Sequence, residues 1–279
     1  MLSIVTHARN DNYGGLDWNG KSYIDRVYEA LSANIKSIEK LTIPYEYIIA
    51  EWCSSNEYLM NLPRFKELFE NNKNLRTVSV KKDVAVKENL NPEQYFEYFA
   101  KNAGIRQSTY ENLLVINSDI IIYPATMKVI NDMVLQSLKD EVLYKFIWRY
   151  HGRGPHPQEQ TGIIKCNEPR HMVHAGGAMA GDIMLMTMNG FIIYGHAYDE
   201  MDPHHRELSH SGMDTEFCVN WETNGGRIEW IDASYWHINH HHPNVYAKTR
   251  VPTPYKYKSN WGFIDYNISK INDQLTIIE

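Results

Sequence analysis

Short β-branched runs alternate with helical stripes along the first 123 residues, and no other feature narrows the fold so far. Leu2–Thr6, Tyr45–Ala50, Leu75–Val80 and Leu113–Ile116 each have the length and apolar content of a buried strand. Between the first two, Ile24, Val27, Leu31, Ile35 and Ile38 recur at spacings of three and four, as one buried helical face requires. Tyr95, Phe99 and Ile105 mark another helix ahead of the fourth run. Strands joined through helices must lie mainly parallel, because a parallel neighbour is reached only by a crossover. Ligands of such sheets sit at the carboxyl ends of the strands.

Beyond residue 123 the texture loosens. A helix is expected over Ala125–Leu138, a strand over Val142–Trp148, a helix from Gly212 to Thr223 and a strand over Arg227–Ile231. Residues 151–175 and 196–210 have no period and many histidines, which suits functional loops better than linkers. The parse is one domain over 1–250 in two halves, 1–123 and 124–250. The tail, 251–279, is rich in Tyr, Pro and Lys near its start and is expected to pack on the body.

At 279 residues the chain can bury a sizeable core without staples. Its 34 acidic and 28 basic residues, a net charge of −6, argue against a nucleic-acid partner. Three cysteines without a CxxC pair indicate neither a disulfide framework nor a zinc knuckle. The opening MLSIVTHARN lacks a basic region ahead of its apolar run, and the longest uncharged stretch, Ile183–Tyr198, is too short and polar to span a bilayer. The expectation is a soluble, cytoplasmic protein. The skewed residue is histidine: 12 of 13 lie at or beyond His151.

Polar residues cluster just after the expected strands: Thr6-His-Ala-Arg9-Asn-Asp11, Glu51-Trp-Cys-Ser54 and Asn117-Ser-Asp119. Such groups suit a nucleotide site, where one carboxylate meets ribose or base and another a divalent ion. Each also has a plain reading: a turn at 117–119, an exposed loop acid at Glu51, a solvated arginine at Arg9. Neither GxGxxG nor GxxxxGK[ST] occurs, so a diphosphate would need a metal or basic side chains to offset its charge. Further on, Asp182 follows a run of small residues that would let backbone approach a ligand. Asp214 opens a helix, as an N-cap or as a general base at a cleft. His237 and His240 are candidate metal or phosphate contacts, whereas His241 and His242 read as solvated. Trp148, Trp221 and Trp236 suit sugar stacking, with a core role expected for at least two of them.

Taken in order, these segments resemble the GT-A fold glycosyltransferases, specifically the family-2-like group. Ser3-Ile-Val-Thr6-x-x-Arg9-Asn-Asp resembles the group's first strand and nucleotide loop, and Tyr47-Ile-Ile-Ala-Glu51-Trp-Cys-Ser54 its second strand. Lys101-Asn-Ala-Gly-Ile-Arg106 followed by Glu111-Asn-Leu-Leu-Val-Ile-Asn117-Ser-Asp119 is similar to the segment ending in its DxD. Ala180-Gly-Asp182-Ile-Met-Leu-Met186 with Gly195-x-x-x-Asp-Glu200 resembles the acceptor-side block. Gly212-Met-Asp214-Thr-Glu216 and Trp236-His237-Ile-Asn-His240 resemble the catalytic acid and the terminal histidine motif. The resemblance spans residues 2–243.

The resemblance implies an α/β fold with a Rossmann-like, mainly parallel sheet flanked by helices and a smaller acceptor-side part. Thr6, Arg9 and Glu51 would hold the nucleoside, with Arg106, Asn117 and Ser118 also facing nucleotide or substrate. Asp119 would bind Mn²⁺ or Mg²⁺, joined by His237 and more weakly by His240. Asp214 would deprotonate the acceptor hydroxyl, and Asp182 would orient a sugar. The implied reaction moves one sugar from a nucleotide-diphosphate donor, a UDP-sugar, to a hydroxyl of a glycan or other acceptor, with inversion. Asn117 departs from the group, which has an acid there, and this alters the ribose or metal contact. The Gln-x-x-Arg-Trp motif of processive synthases is absent, favouring single transfer over polymerisation. Two rivals stand beside this expectation: a sugar nucleotidyltransferase and a non-catalytic sugar- or metal-binding module. No sequence feature sets the oligomeric state.

Overall fold

The computed structural model describes residues 1–10, 20–54, 57–93, 95–153, 155, 160–165, 182–195, 213–239 and 261–279. The first strand, β1 (Leu2–Ala8), is buried along its whole length. A strand covered on both faces is what an interior position in a parallel sheet demands. Its neighbours are β2 (Tyr45–Trp52) and β4 (Asn112–Ile116), both parallel to it, and β3 (Leu75–Val80) lies parallel beyond β2.

Helices carry the crossovers. α1 (Tyr23–Ile38) begins with a capping box, in which Ser22 Oγ accepts from the Asp25 amide and the Asp25 carboxylate accepts from the Ser22 amide. Satisfying two helix-end donors this way stabilises the start by about 1 kcal/mol. α2 (Pro63–Asn71) and α3 (Lys82–Lys87) follow β2 and β3. α4 (Glu97–Arg106) lies directly on β1 and β2, and Gly104 permits it: a Cβ there would sit 2.7 Å from Val5 Cγ1.

The second half adds β5 (Ile120–Ile122), α5 (Pro124–Leu135), β6 (Val142–Gly152), β7 (Gln160–Lys165), β8 (Ile183–Thr187), α6 (Met213–Thr223) and β9 (Arg227–Ile238). The chain ends with β10 (Ile268–Asn272) and β11 (Leu275–Ile278). The eleven strands of the described residues form one sheet, ordered β10-β11-β3-β2-β1-β4-β8-β6-β9-β5, with β7 paired to β6. The block β11-β3-β2-β1-β4 is wholly parallel, and β6 and β9 are parallel; β8 runs antiparallel between β4 and β6.

Several bounds differ from the sequence expectation for local reasons. The helix expected to Leu138 stops at Leu135, and Ser137 then takes a left-handed φ of 68°. The strands expected to end at Trp148 and Ile231 continue to Gly152 and Ile238, because each pairs with the other along most of its length. The tail does more than cover the body: β11 adds a parallel strand beside β3, with Leu275–Ile278 buried. Its approach is aromatic, with Phe263 packed against Trp52 and Phe99. Among the described residues no helix is long and apolar enough to cross a membrane.

Candidate functional site

The carboxyl ends of β1, β2 and β4 lie side by side, so the polar groups that follow them share one edge of the sheet. Glu51, at the end of β2, is fully buried, which removes its reading as an exposed loop acid. Its Oε1 accepts from the Leu59 amide at 2.7 Å. Burial pushes its carboxyl up to about 7, against the opposing pull of that amide, the Ser54 hydroxyl and Lys81. Arg9 is also buried rather than solvated, donating to the Glu93 carbonyl at 3.0 Å. Thr6 is buried and its Oγ1 has no hydrogen-bond partner among the described residues. A buried hydroxyl left in that state is costly unless something else satisfies it.

Beside them runs a network that joins the candidate Ser118 to His7, Tyr23 and Tyr95, which have no sequence-based assignment. His7 Nδ1 bonds the Tyr95 hydroxyl, which lies 3.1 Å from that of Tyr23, and Tyr23 in turn lies 3.0 Å from Ser118 Oγ. Burial pushes the His7 imidazole down to about 4; Glu97, 3.6 Å away, opposes the shift and Lys101 reinforces it. Lys101, fully buried on α4, donates to Asn117 Oδ1 at 2.6 Å and lies 3.9 Å from Glu97. A lysine on the sheet-facing side of a helix, among Ala100, Ala103 and Gly104, was the available signal for it.

Asn117 is held from two sides. Its backbone amide donates to the Asp182 carbonyl at 3.0 Å, and its Nδ2 lies 3.5 Å from Asp182 Oδ1. This contact follows from the register, because Ile116 pairs with Ile183 where β8 enters antiparallel. Asp182 is buried and accepts from the Tyr235 hydroxyl at 3.1 Å, with Arg149 Nε 3.3 Å from the same oxygen. Burial raises its carboxyl pKa, Arg149 opposes the shift, and Asp119 adds to it. Arg149 and Tyr235 stand opposite each other in the β6–β9 pair. Lys145, Arg149 and His151 fall on one parity of β6, so period two places all three on one face.

Asp119 and His237 meet through strand pairing. Ile120 pairs with His237 across β5 and β9, and the Asp119 carbonyl accepts from the Ile238 amide at 3.0 Å. This brings His237 Nε2 to 3.4 Å from Asp119 Oδ2, with both side chains nearly buried. Two ligands at right angles on one ion, each about 2.1 Å away, are about 3 Å apart. The pair therefore fits a divalent cation as two protein ligands, one oxygen and one nitrogen. Among the described residues no group of three or more His, Cys, Asp or Glu converges in this way.

Not every candidate lies here. Arg106 is at the far end of α4, its guanidinium 4.6 Å over the Trp261 ring. Trp261 also packs on Phe191, which follows the end of β8 beside the start of β4. That is the amino edge of the sheet, opposite the strand ends, so Arg106 is separated from the other nucleotide-binding candidates. Trp221 and Trp236 are core residues, whereas Trp148 is partly exposed, donates to Asp232 at 2.7 Å and carries Lys165 over its ring. Asp214 lies in the first turn of α6. Its side chain, His240, His241, His242 and most of the two histidine-rich loops lie outside the described residues.

No protein-family model and no curated protein matches this sequence. Solved structures do match in shape. The 1-349 fragment of S. aureus TarS in complex with UDP-GlcNAc aligns with a TM-score of 0.52 at 12% identity, covering 88% of this chain and 61% of that one. The same fragment in complex with UDP gives 0.49 at 14% identity, over 84% and 59% of the two chains. The chain thus spans about three fifths of that fragment. Strand order, the antiparallel β8 and this likeness identify the fold as GT-A type.

Proposed function

We propose that the chain is a glycosyltransferase that moves one sugar from a UDP-sugar to a hydroxyl of a glycan or other acceptor, with inversion. The observation that carries the reading is the convergence of Glu51, Asn117, Asp119, Asp182, Arg149 and His237 at the carboxyl edge of a GT-A type sheet. The likeness to a fragment that binds UDP-GlcNAc supports the choice of donor.

In this reading Glu51 and Thr6 face the nucleoside. The unsatisfied Thr6 hydroxyl and the desolvated Glu51 carboxyl are groups whose burial a bound base would repay. Asp119 and His237 would hold Mn²⁺ or Mg²⁺. When bound, such an ion offsets charge on the leaving diphosphate. Lys101, joined to Asn117, places a basic amine beside the position where the group's usual acid is missing. Arg149 and Tyr235 fix Asp182, which orients a sugar through a rigid carboxylate. Asp214 takes the proton from the attacking hydroxyl, and a single base with direct attack inverts the anomeric centre.

The test incubates the chain with a panel of UDP-sugars and Mn²⁺ and measures UDP release. Release that Asp119→Ala abolishes, and that Asp214→Asn abolishes while UDP binding survives, is the expected result. Pyrophosphate formed from UTP and a sugar phosphate would replace this reading with a nucleotidyltransferase. UDP binding without turnover of any donor would leave a binding module.

A further inference from the structure

Behind the Asp119–His237 pair stand Asn239, His151 and Thr161, to which neither the fold nor the proposed chemistry assigns a role. Asn239 follows β9 directly, and its backbone amide donates to the Gly152 carbonyl at 2.7 Å, anchoring it to the end of β6. Its side chain touches three groups. Oδ1 lies 3.2 Å from His237 Nδ1, and Nδ2 lies 3.0 Å from His151 Nδ1 and 3.2 Å from Thr161 Oγ1.

The orientation of this amide follows from its neighbours. The Thr161 hydroxyl lies 3.3 Å from both the His151 carbonyl and His151 Nδ1, and giving its one proton to either leaves its oxygen accepting towards Asn239. The amide nitrogen therefore faces the threonine oxygen and the His151 ring nitrogen, and the amide oxygen faces His237. An oxygen there calls for a proton on His237 Nδ1 and fixes the ring so that Nε2 is the nitrogen facing Asp119 Oδ2, 3.4 Å away. His151 is placed in turn by Gly162, where a Cβ would stand 2.5 Å from its Nε2.

We propose that Asn239 is the positioning residue of this pair: it sets the tautomer and ring orientation of His237 so that Nε2 is presented beside Asp119, and His151 and Thr161 hold Asn239 in that role. Outer groups that fix a ligating imidazole commonly change metal affinity 10–100-fold when removed. The consequence for metal binding rests on the reading of Asp119 and His237 given above; the consequence for the tautomer does not.

The full chain, with ¹⁵N-labelled histidine, is examined metal-free at pH 8 by long-range ¹H–¹⁵N NMR, with His237→Ala identifying the signal. Mn²⁺ alone is then titrated by calorimetry. Wild type should show a proton on His237 Nδ1. Asn239→Leu should give a tautomer mixture and Mn²⁺ affinity reduced roughly 10–100-fold, with little change in melting temperature. Asn239→Asp, whose carboxylate accepts the bond from His237 but cannot donate to His151 or Thr161, should fall between wild type and Asn239→Leu in both readouts. Gly162→Ala, which displaces His151 without touching His237, should move both readouts in the direction of Asn239→Leu. An unchanged tautomer and unchanged affinity in Asn239→Leu and Gly162→Ala would overturn the proposal. If the tautomer depends on Asn239 while His237→Ala binds Mn²⁺ like wild type, the positioning role stands and the metal reading falls.

Discussion

Glu51→Gln should make the protein more stable above neutral pH while weakening UDP binding. The carboxyl is fully buried and burial raises it from an ordinary value of 4.5 to about 7. A raised folded pKa means that the fold tolerates the neutral acid and resists the carboxylate. The stability associated with the acid is complete below pH 4.5 and is lost as pH rises through 7. The difference of about 2.5 units, at 1.36 kcal/mol each, sets a cost of about 3 kcal/mol for wild type at pH 8. Glutamine keeps an oxygen for the Leu59 amide and never ionises. Urea unfolding followed by circular dichroism should therefore show a Gln-minus-Glu gap near zero at pH 4, about 2 kcal/mol at pH 6 and about 3 kcal/mol at pH 8. His7, pushed down to about 4, instead loses stability as pH falls below 6.5, but it does so in both proteins and cancels in the difference. A gap that stays constant with pH, or one that favours glutamate at pH 8, would refute the assignment of this burial penalty to Glu51. A gain in stability at the expense of UDP affinity is the trade expected of a binding site.

Three further outcomes can be measured on the same footing. Arg149→Met strands the Asp182 carboxylate in the interior and should cost about 3–5 kcal/mol in urea unfolding, with the Arg149→Met/Asp182→Leu double variant recovering most of it. Lys101→Met removes the 2.6 Å bond to Asn117 and should cost about 1.5–3 kcal/mol; equal stability of variant and wild type would show that the amine contributes nothing to the site's architecture. Gly190→Ala would put a Cβ 2.2 Å from the Asp140 carbonyl, so the melting temperature should fall by roughly 2–4 °C for each kcal/mol of a cost of about 1–3 kcal/mol, and an unchanged melting curve would mean that the backbone yields freely there.

The early strands were legible because each is a compact β-branched run bounded by polar residues, and the intervening stripe of Ile24 to Ile38 has the period of one helical face. β8 was harder to read. Its residues, Ile-Met-Leu-Met-Thr, sit inside a longer apolar segment, and a five-residue apolar run has no period that separates strand from buried helix. The terminal strands were missed for another reason: Leu275–Ile278 is only four residues long, and it becomes a strand because β3 offers it an edge. Such an edge is a property of the folded sheet and leaves no mark on the segment itself.

At the site, residue chemistry was readable and neighbourhood was not. Strand ends rich in acids and amides pointed to one edge of the sheet, since a parallel sheet turns the ends of β1, β2 and β4 the same way. Arg106 lies only five residues beyond Lys101, yet it closes α4 with its guanidinium over Trp261, while the long Lys101 side chain reaches Asn117. The pairing of Asp119 with His237 depends on the register of β5 against β9, and that of Asp182 with Arg149 on β8 entering between β4 and β6. Local periodicity reflects forces within a turn or two of chain, so the sequence alone determined the order of elements, the α/β class and the edge where polar residues gather. Strand order and register come from burying the faces of distant segments together. Only the tertiary structure could decide which of those polar side chains meet.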